Sequence, residues 1–245
     1  MSGGRWRKSL DVDEESYFIS MSDLMVGLLF VFMILLVYFS LQFRLVKSEY
    51  EGGVEARSDL VAKIGARIRD RGIPVDVDPD RGIIRLPEGV LFASGQYKLN
   101  AEGRANIRVI AEELVKGIPC YTFPRPKSGC ENSTHTIEAL YVEGHTDSDN
   151  MRDNGFIRDN LDLAAMRGTN TFRALVAAEP ALRDYKNGED GAAQPILSSS
   201  AYGSARPVKD ESQPGGKAAN RRIDLRFLLK PPKGDEGESN YDPIS

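Results

Sequence analysis

The feature that most constrains this chain is a run of apolar residues near its N-terminus. The sixteen residues from Leu24 to Phe39 carry no charge, and with its flanks the apolar segment extends from about Met21 to Phe43. At 1.5 Å of rise per residue, a helix of this length crosses the roughly 30 Å hydrocarbon core of a bilayer. Since the sequence contains one such segment, we predict a single transmembrane helix in contact with the lipid bilayer.

Asp23 stands at the rim of this predicted span. A carboxylate there is costly if it is buried without a partner, so it favours a functional role such as carrying an ion or pairing with a partner helix. The alternative is that Ser22 and Asp23 cap the N-terminus of the helix, where an acceptor and a negative charge are both favourable. The span alone leaves both interpretations open.

The remaining sequence predicts one soluble domain. We expect a cytoplasmic tail at residues 1–20, the transmembrane helix at 21–43, and a linker with a short helix at 44–80. A folded domain at 81–230 and a disordered tail at 231–245 complete the prediction, the tail being rich in polar residues, Pro and Gly. Gly52 and Gly53 are expected to interrupt the linker. The mildly acidic balance of 36 acidic against 32 basic residues argues against direct binding of nucleic acid.

Hydrophobic periodicity predicts the elements of the soluble domain in the order β-α-β-α-β-β. The clearest segments are a helix that Asn100 caps, a buried strand at Ala139 to Gly144, and a helix at Leu161 to Ala178. This order predicts an α/β (α+β) domain with helices packed on one face of a mixed β-sheet.

The two cysteines, Cys120 and Cys130, lie in one polar loop that contains prolines. A separation of ten residues permits a disulfide in an oxidising compartment, whereas a cytosolic location would leave two thiols. Spacing alone does not decide between them. With two Cys and two His in the whole chain, a structural zinc site is not expected, and we predict no resident metal or cofactor.

Four motifs resemble the OmpA/MotB peptidoglycan-binding domain, and they occur in the order typical of that family. They are VEGHTD at Val142 to Asp147, N-x-x-L-x-x-x-R at Asn160 to Arg167, AYGSARPV at Ala201 to Val208, and NRRIDLRF at Asn220 to Phe227. The chain departs from the family pattern at Ala164, where Ser is usual, in a longer stretch after Asp147, and in the inserted cysteine loop.

The resemblance implies that the domain binds peptidoglycan through Asp147 and Arg167. A diaminopimelate stem residue ends in an ammonium beside a carboxylate, which suits an anionic acceptor next to a forked cationic donor. By the same resemblance Asn160, Leu163, Arg221 and Arg222 belong to the site. The alternative is an internal salt bridge between Asp147 and Arg167. A calcium loop at Asp147 to Gly155 is a weaker alternative, because the ligand spacing of a calcium loop is absent.

An Asp-bearing span followed by a wall-binding domain resembles the MotB class of stator subunits. The resemblance implies that Asp23 carries a transported H⁺ or Na⁺, that two copies of the chain stand inside a ring of a MotA-like (ZorA-like) membrane subunit, and that the domain is periplasmic with the N-terminus cytoplasmic. In the oxidising periplasm, a disulfide between Cys120 and Cys130 is favoured.

Within this class the chain most resembles the ZorB subunits of Zorya anti-phage systems, because of the cysteine loop, the extended tail and the DLMVG opening of the span. A flagellar MotB subunit is the alternative, and a passive tether between membrane and wall is an alternative of another class. No nucleophile lies with a His in a recognisable catalytic motif, so we do not expect an enzyme.

Overall fold

The structure is a computed structural model that describes residues 8–130, 135–150 and 156–231, with side chains from residue 21 onward except residue 49. Within these ranges the helices and strands, in chain order, are α1 (Lys8–Asp70), β1 (Asp76–Asp78), β2 (Ile83–Pro87), α2 (Glu88–Leu91), α3 (Ala101–Gly117), β3 (Ile137–His145), α4 (Asn160–Ala178), α5 (Ala181–Asp184), β4 (Leu197–Gly203), α6 (Gly216–Asn220) and β5 (Arg222–Leu229). The tail predicted beyond residue 231 lies outside the described residues.

The chain divides into two compact units, with the boundary after Tyr50. The first unit contains the N-terminal part of α1, whose large apolar side chains between Met21 and Val46 are exposed. In the described part of the chain, α1 is the one helix long and apolar enough to cross a membrane. It begins at Lys8, well before the residue 21 expected from the apolar run.

The second unit begins at Glu51, so the predicted domain boundary at residue 81 is too late. Gly52 and Gly53 do not interrupt the helix, which continues to Asp70. Both glycines face His135, whose ring would lie 3.5 Å from a Cβ added at Gly52. A Cβ at either position would make an ordinary van der Waals contact with this ring, so the two glycines neither break the helix nor are required by their neighbour.

The last turns of α1 belong to the core of the domain. Four apolar side chains at helical spacing are buried there together with the sheet and α3, namely Leu60, Val61, Ile64 and Ile68. The sequence predicts this spacing correctly, but it does not show that the face packs into the domain core. Strand β1, at 76–78, lies in the same stretch that was expected to be linker.

The sheet has the strand order β1-β2-β5-β3-β4. Strands β3 and β4 are parallel, and the other neighbouring strands are antiparallel. Helix α4 packs on β3 and β4, and α3 packs on α4. The prediction of a mixed sheet with packed helices is therefore confirmed.

The two faces of the sheet differ in chemistry because side chains alternate along each strand. One face is apolar, with Val142 opposite Leu225 and Leu140 opposite Phe227 in neighbouring strands. The other face carries ionisable groups, including the pair Glu143 and Asp224. The apolar face forms the core with the helices.

Candidate functional site

The motif residues meet at one end of the sheet. Asp147 lies two residues after the end of β3, Asn160 is the first residue of α4, and Arg221 directly precedes β5. Asp159 caps α4 by accepting hydrogen bonds from the backbone N–H groups of Leu161 and Asp162, which fixes where the helix starts. The ends of three elements thus come together beside Asp147.

Gly144 allows α4 to lie close to β3 at this end of the sheet. A Cβ added to Gly144 would lie 2.0 Å from the carbonyl oxygen of Ala164, so a larger residue would push the helix away. The small residues Gly144 and Ala164 therefore let the N-terminal part of α4 lie beside the end of β3. This part of the helix carries Asn160 and Arg167.

Four charged side chains form a continuous network at the centre of the site. The carboxylate of Glu88 accepts from Nη2 of Arg167 through one oxygen and from Nε of Arg221 through the other, the latter at 2.7 Å. Nη1 of Arg221 then donates to Asp147 at 2.6 Å, and Nε of Arg167 donates to the carbonyl oxygen of Gln96 at 2.8 Å. Asp147 and Arg167 are therefore linked through Glu88 and Arg221, and the direct salt bridge considered from the sequence is absent between them.

This network, the site quartet, consists of Glu88, Asp147, Arg167 and Arg221. Its members differ sharply in burial. Arg167 is 1% exposed and its guanidinium lies 5.3 Å from the ring of Phe92. Burial lowers the pKa of Arg167, and the opposing charge of Glu88 only partly offsets this. Arg221 is 30% exposed at its side chain, and its hydrogen bond to Asp147 raises its pKa. Arg221 is thus the member of the quartet nearest to solvent, while Asp147 and Glu88 are both buried.

Three further residues assigned by resemblance are placed differently. Nδ2 of Asn160 donates to the carbonyl oxygens of Asp147 and Asp149, which holds the loop after β3 against α4. Leu163 is buried. Arg222 points to the other face of the sheet, where it pairs with Asp224 at 3.1 Å and is 5% exposed. The structure brings Arg221 into the site and leaves Arg222 outside it.

A second charged cluster lies on the polar face of the sheet. Glu143, His145 and Asp224 offer ligand atoms within 4.8 Å of one another, but Arg226 contacts Glu143 at 2.9 Å and Arg222 contacts Asp224. These arginines already neutralise the carboxylates, so we interpret the cluster as structural and not as a metal site. Burial alone would raise the pKa of Glu143, yet His145 and Arg226 together lower it to about 2. The Arg226 contact is direct, while Nε2 of His145 lies 3.9 Å away.

The cysteine loop lies between α3 and β3. Cys120 and Cys130 are joined by a disulfide, and Arg125, between them in sequence, donates hydrogen bonds to the carbonyl oxygen of His135 and to the hydroxyl of Thr136. The acidic loop considered for calcium is described only as far as residue 150. In that part, Asp147 pairs with Arg221 and Asp149 pairs with Lys217.

Asp23 lies inside α1, fifteen residues after the helix begins at Lys8. It therefore does not cap the N-terminus of the helix, and the capping alternative from the sequence is wrong. The ion-carrying role of Asp23 stays a prediction. Its neighbours in sequence, Ser22 and Leu24, both have exposed side chains.

Glu88 is the site residue that the sequence reasoning missed. It follows β2 in the segment LPEGV and is 8% exposed. Because it lies 59 residues before Asp147 and 79 before Arg167, only the pairing of β2 with β5 brings it to Arg221. The one available signal was an acidic residue at the end of a buried strand, which by itself predicts no partner.

The chain is similar to known proteins in sequence and in fold. No protein-family model matches the chain. Zorya protein ZorB from Escherichia coli O139:H28 (strain E24377A / ETEC) is 24% identical over 253 residues, which cover 99% of this chain and 93% of that protein.

Among solved structures, a MotB-like protein from Desulfovibrio vulgaris superposes with a TM-score of 0.50 at 20% identity, covering 74% of this chain and 98% of its own. The cell wall anchor of the T6SS from Pseudomonas aeruginosa gives a TM-score of 0.48 at 19% identity, with coverage of 69% and 97%. The resemblance predicted from the motifs is confirmed: the chain is similar to ZorB along its length, and its folded domain has the fold of the MotB-like proteins.

Proposed function

We propose that this protein is an ion-driven stator subunit of the bacterial inner membrane that is anchored to peptidoglycan. The observation that carries the proposal is the site quartet, in which Asp147 pairs with the partly exposed Arg221 at one end of a MotB-like sheet. The same chain carries a long helix in which Asp23 directly precedes the apolar segment. Wall binding and membrane anchoring therefore reside in one polypeptide.

The quartet has the charges that a diaminopimelate end requires. Its two arginines and two carboxylates sum to zero, and the ligand end, an ammonium beside a carboxylate, is also neutral. Asp147 is the acceptor for the ammonium, and the guanidinium groups are forked donors for the carboxylate. Binding then exchanges ion pairs without leaving a net charge in a poorly hydrated site.

Asp23 supplies the motor part of the proposal. Protonation or Na⁺ binding neutralises a carboxylate in an apolar setting and removes a desolvation cost of several kcal/mol. This is enough to change the preference of α1 for neighbouring helices of a MotA-like (ZorA-like) ring. Two copies of the chain, held to the wall, would then be the fixed axis against which the ring moves.

The full-length similarity to ZorB favours a Zorya-type role in anti-phage defence over flagellar motility. In this arrangement the N-terminus is cytoplasmic, α1 crosses the inner membrane once, and the domain is periplasmic. Genes for a MotA-like partner beside this gene would support the stator, and neighbouring helicase or nuclease genes would support defence. The passive tether requires neither.

Sedimentation of the full chain in detergent with isolated Gram-negative sacculi tests the wall-binding part. Asp147→Asn keeps the shape of the side chain but removes the charge that would pair with the ammonium. We expect a loss of about 2 to 5 kcal/mol, or roughly 30-fold to several thousand-fold in affinity.

Asp149→Asn is the matched control, because Asp149 lies in the same loop and its side chain is 65% exposed in its pair with Lys217. We expect this variant to sediment like the unmodified protein. Equal sedimentation of Asp147→Asn and Asp149→Asn would contradict the assigned site.

A further inference from the structure

Glu88 occupies the position that a ligand carboxylate would take in the site quartet. Its two oxygens accept from different guanidinium groups, Nη2 of Arg167 and Nε of Arg221. The backbone N–H of Gly95 also donates to Glu88, at 3.3 Å. The carboxylate is therefore held by donors from three separate segments of the chain.

The same donors are those that a zwitterionic ligand needs. Arg167 is 1% exposed, and its Nε donates a second hydrogen bond, to the carbonyl oxygen of Gln96. An incoming carboxylate cannot form a forked contact with Arg167 while Glu88 holds Nη2. Glu88 itself is buried, at 8% exposed, and the most exposed side chain beside it is Arg221, at 30%.

We propose that Glu88 is an internal competitor for the ligand carboxylate, and that it sets the affinity and specificity of this site. The proposal rests on the wall-binding function proposed above. The ligand carboxylate replaces Glu88 on the two arginines, while the ligand ammonium pairs with Asp147 and with the displaced Glu88. A ligand that carries a carboxylate without an adjacent ammonium leaves Glu88 displaced and unpaired, so the site selects the zwitterionic end.

The backbone makes this exchange local. The N–H of Glu88 donates to the carbonyl oxygen of Arg221 at 2.9 Å, which fixes the residue beside the site. Only the side chain must rotate for the arginines to become available. The exchange therefore does not require β2 or β5 to separate.

The test compares variants of the full chain in detergent by sedimentation with isolated Gram-negative sacculi. Glu88→Gln keeps the size of the side chain but binds guanidinium groups less strongly, since it lacks the charge. We expect Glu88→Gln to bind sacculi about 10-fold more tightly than the unmodified chain. Glu88→Asp, which retains the charge but is too short to reach both arginines, should show a smaller gain.

Glu113→Gln is the matched control. Glu113 is another buried carboxylate, 3% exposed and paired with Arg67 and Lys116, but it lies on α3 away from the site. We expect it to bind like the unmodified chain, and Asp147→Asn combined with Glu88→Gln to abolish the gain.

The outcomes separate this inference from the proposed function. If the unmodified chain binds sacculi and both Glu88 variants bind equally or more weakly, Glu88 supports the site and the competitor role is overturned. If neither the unmodified chain nor any Glu88 variant sediments with sacculi, the wall-binding function fails and the inference fails with it. A Glu88→Gln protein that does not fold leaves Glu88→Asp to decide, with a gain supporting the inference and no gain overturning it.

Discussion

Replacing Arg167 by Met should destabilise the domain strongly, because the guanidinium is buried and paired. The change leaves Glu88 without its most buried partner and the carbonyl oxygen of Gln96 without its donor. Breaking a buried ion pair by removing one partner costs about 3 to 5 kcal/mol. Met fills much of the space of the Arg stem, so little of this loss comes from a cavity. Against a total stability of about 5 to 15 kcal/mol for a domain, the loss is large.

Guanidinium-induced unfolding of residues 51–231, followed by circular dichroism, measures this loss. Arg173→Met is the control, since Arg173 is exposed on the same helix and its replacement should change the free energy of unfolding by less than about 0.5 kcal/mol. Glu88→Gln together with Arg167→Met should recover part of the loss, as expected for residues in contact. A cost below about 1 kcal/mol for Arg167→Met alone would show that the ion pair is not buried in solution.

Three further predictions concern the rest of the domain. Both cysteines should resist alkylation without reductant in protein from periplasm-facing membranes, and mass spectrometry showing two labelled thiols would contradict the disulfide. A fragment starting at residue 81 should not fold by circular dichroism, whereas one starting at residue 51 should, because the four buried apolar side chains of α1 contribute roughly 6 kcal/mol or more. The pKa of Glu143 is lowered from 4.5 to about 2, so its contribution to stability is complete above pH 4.5 and is lost as the pH falls toward 2. Arg226→Gln raises this pKa, so the variant should be less stable than the unmodified protein at neutral pH. Its melting temperature should also fall less between pH 4.5 and about pH 2. An unchanged dependence of melting temperature on pH would contradict the ion pair between Arg226 and Glu143.

Local patterns predicted the elements of this fold well. The cap at Asn100 is confirmed, because its side chain accepts from the N–H of Gly103, and the alternation along β5 gives its two faces. The predicted boundaries of helices and of the domain were wrong where tertiary packing determines how far a helix continues. Gly52 and Gly53 indicate a break by propensity, but the helix continues through them to the turns that pack in the domain core, because propensity is a weak preference that tertiary packing overrides.

The sequence predicted the residues of the candidate site only where a recognisable motif lies next to a strand of the sheet. Asp147 and Arg221 flank strands that pair, so two motifs far apart in sequence meet as the family resemblance implies. Glu88 has no such motif, and its role follows from the antiparallel register of β2 with β5. The adjacent arginines, Arg221 and Arg222, looked equivalent in sequence, but the side-chain alternation that begins at the strand sends them to different networks. Because Arg167 is buried, replacing it does not separate a role in wall binding from a role in folding, since both would be lost together.

Asp23→Asn tests the central claim, that this chain is a working stator subunit, most directly. The amide keeps the size of the side chain but neither exchanges a proton nor holds a cation as a carboxylate does. Phage protection should be measured in cells that carry this gene with its neighbouring genes, together with the mass of the purified complex. We predict that Asp23→Asn abolishes protection while the complex assembles with unchanged mass. Full protection by the Asn variant would contradict ion transport through Asp23 and leave a passive tether as the better account.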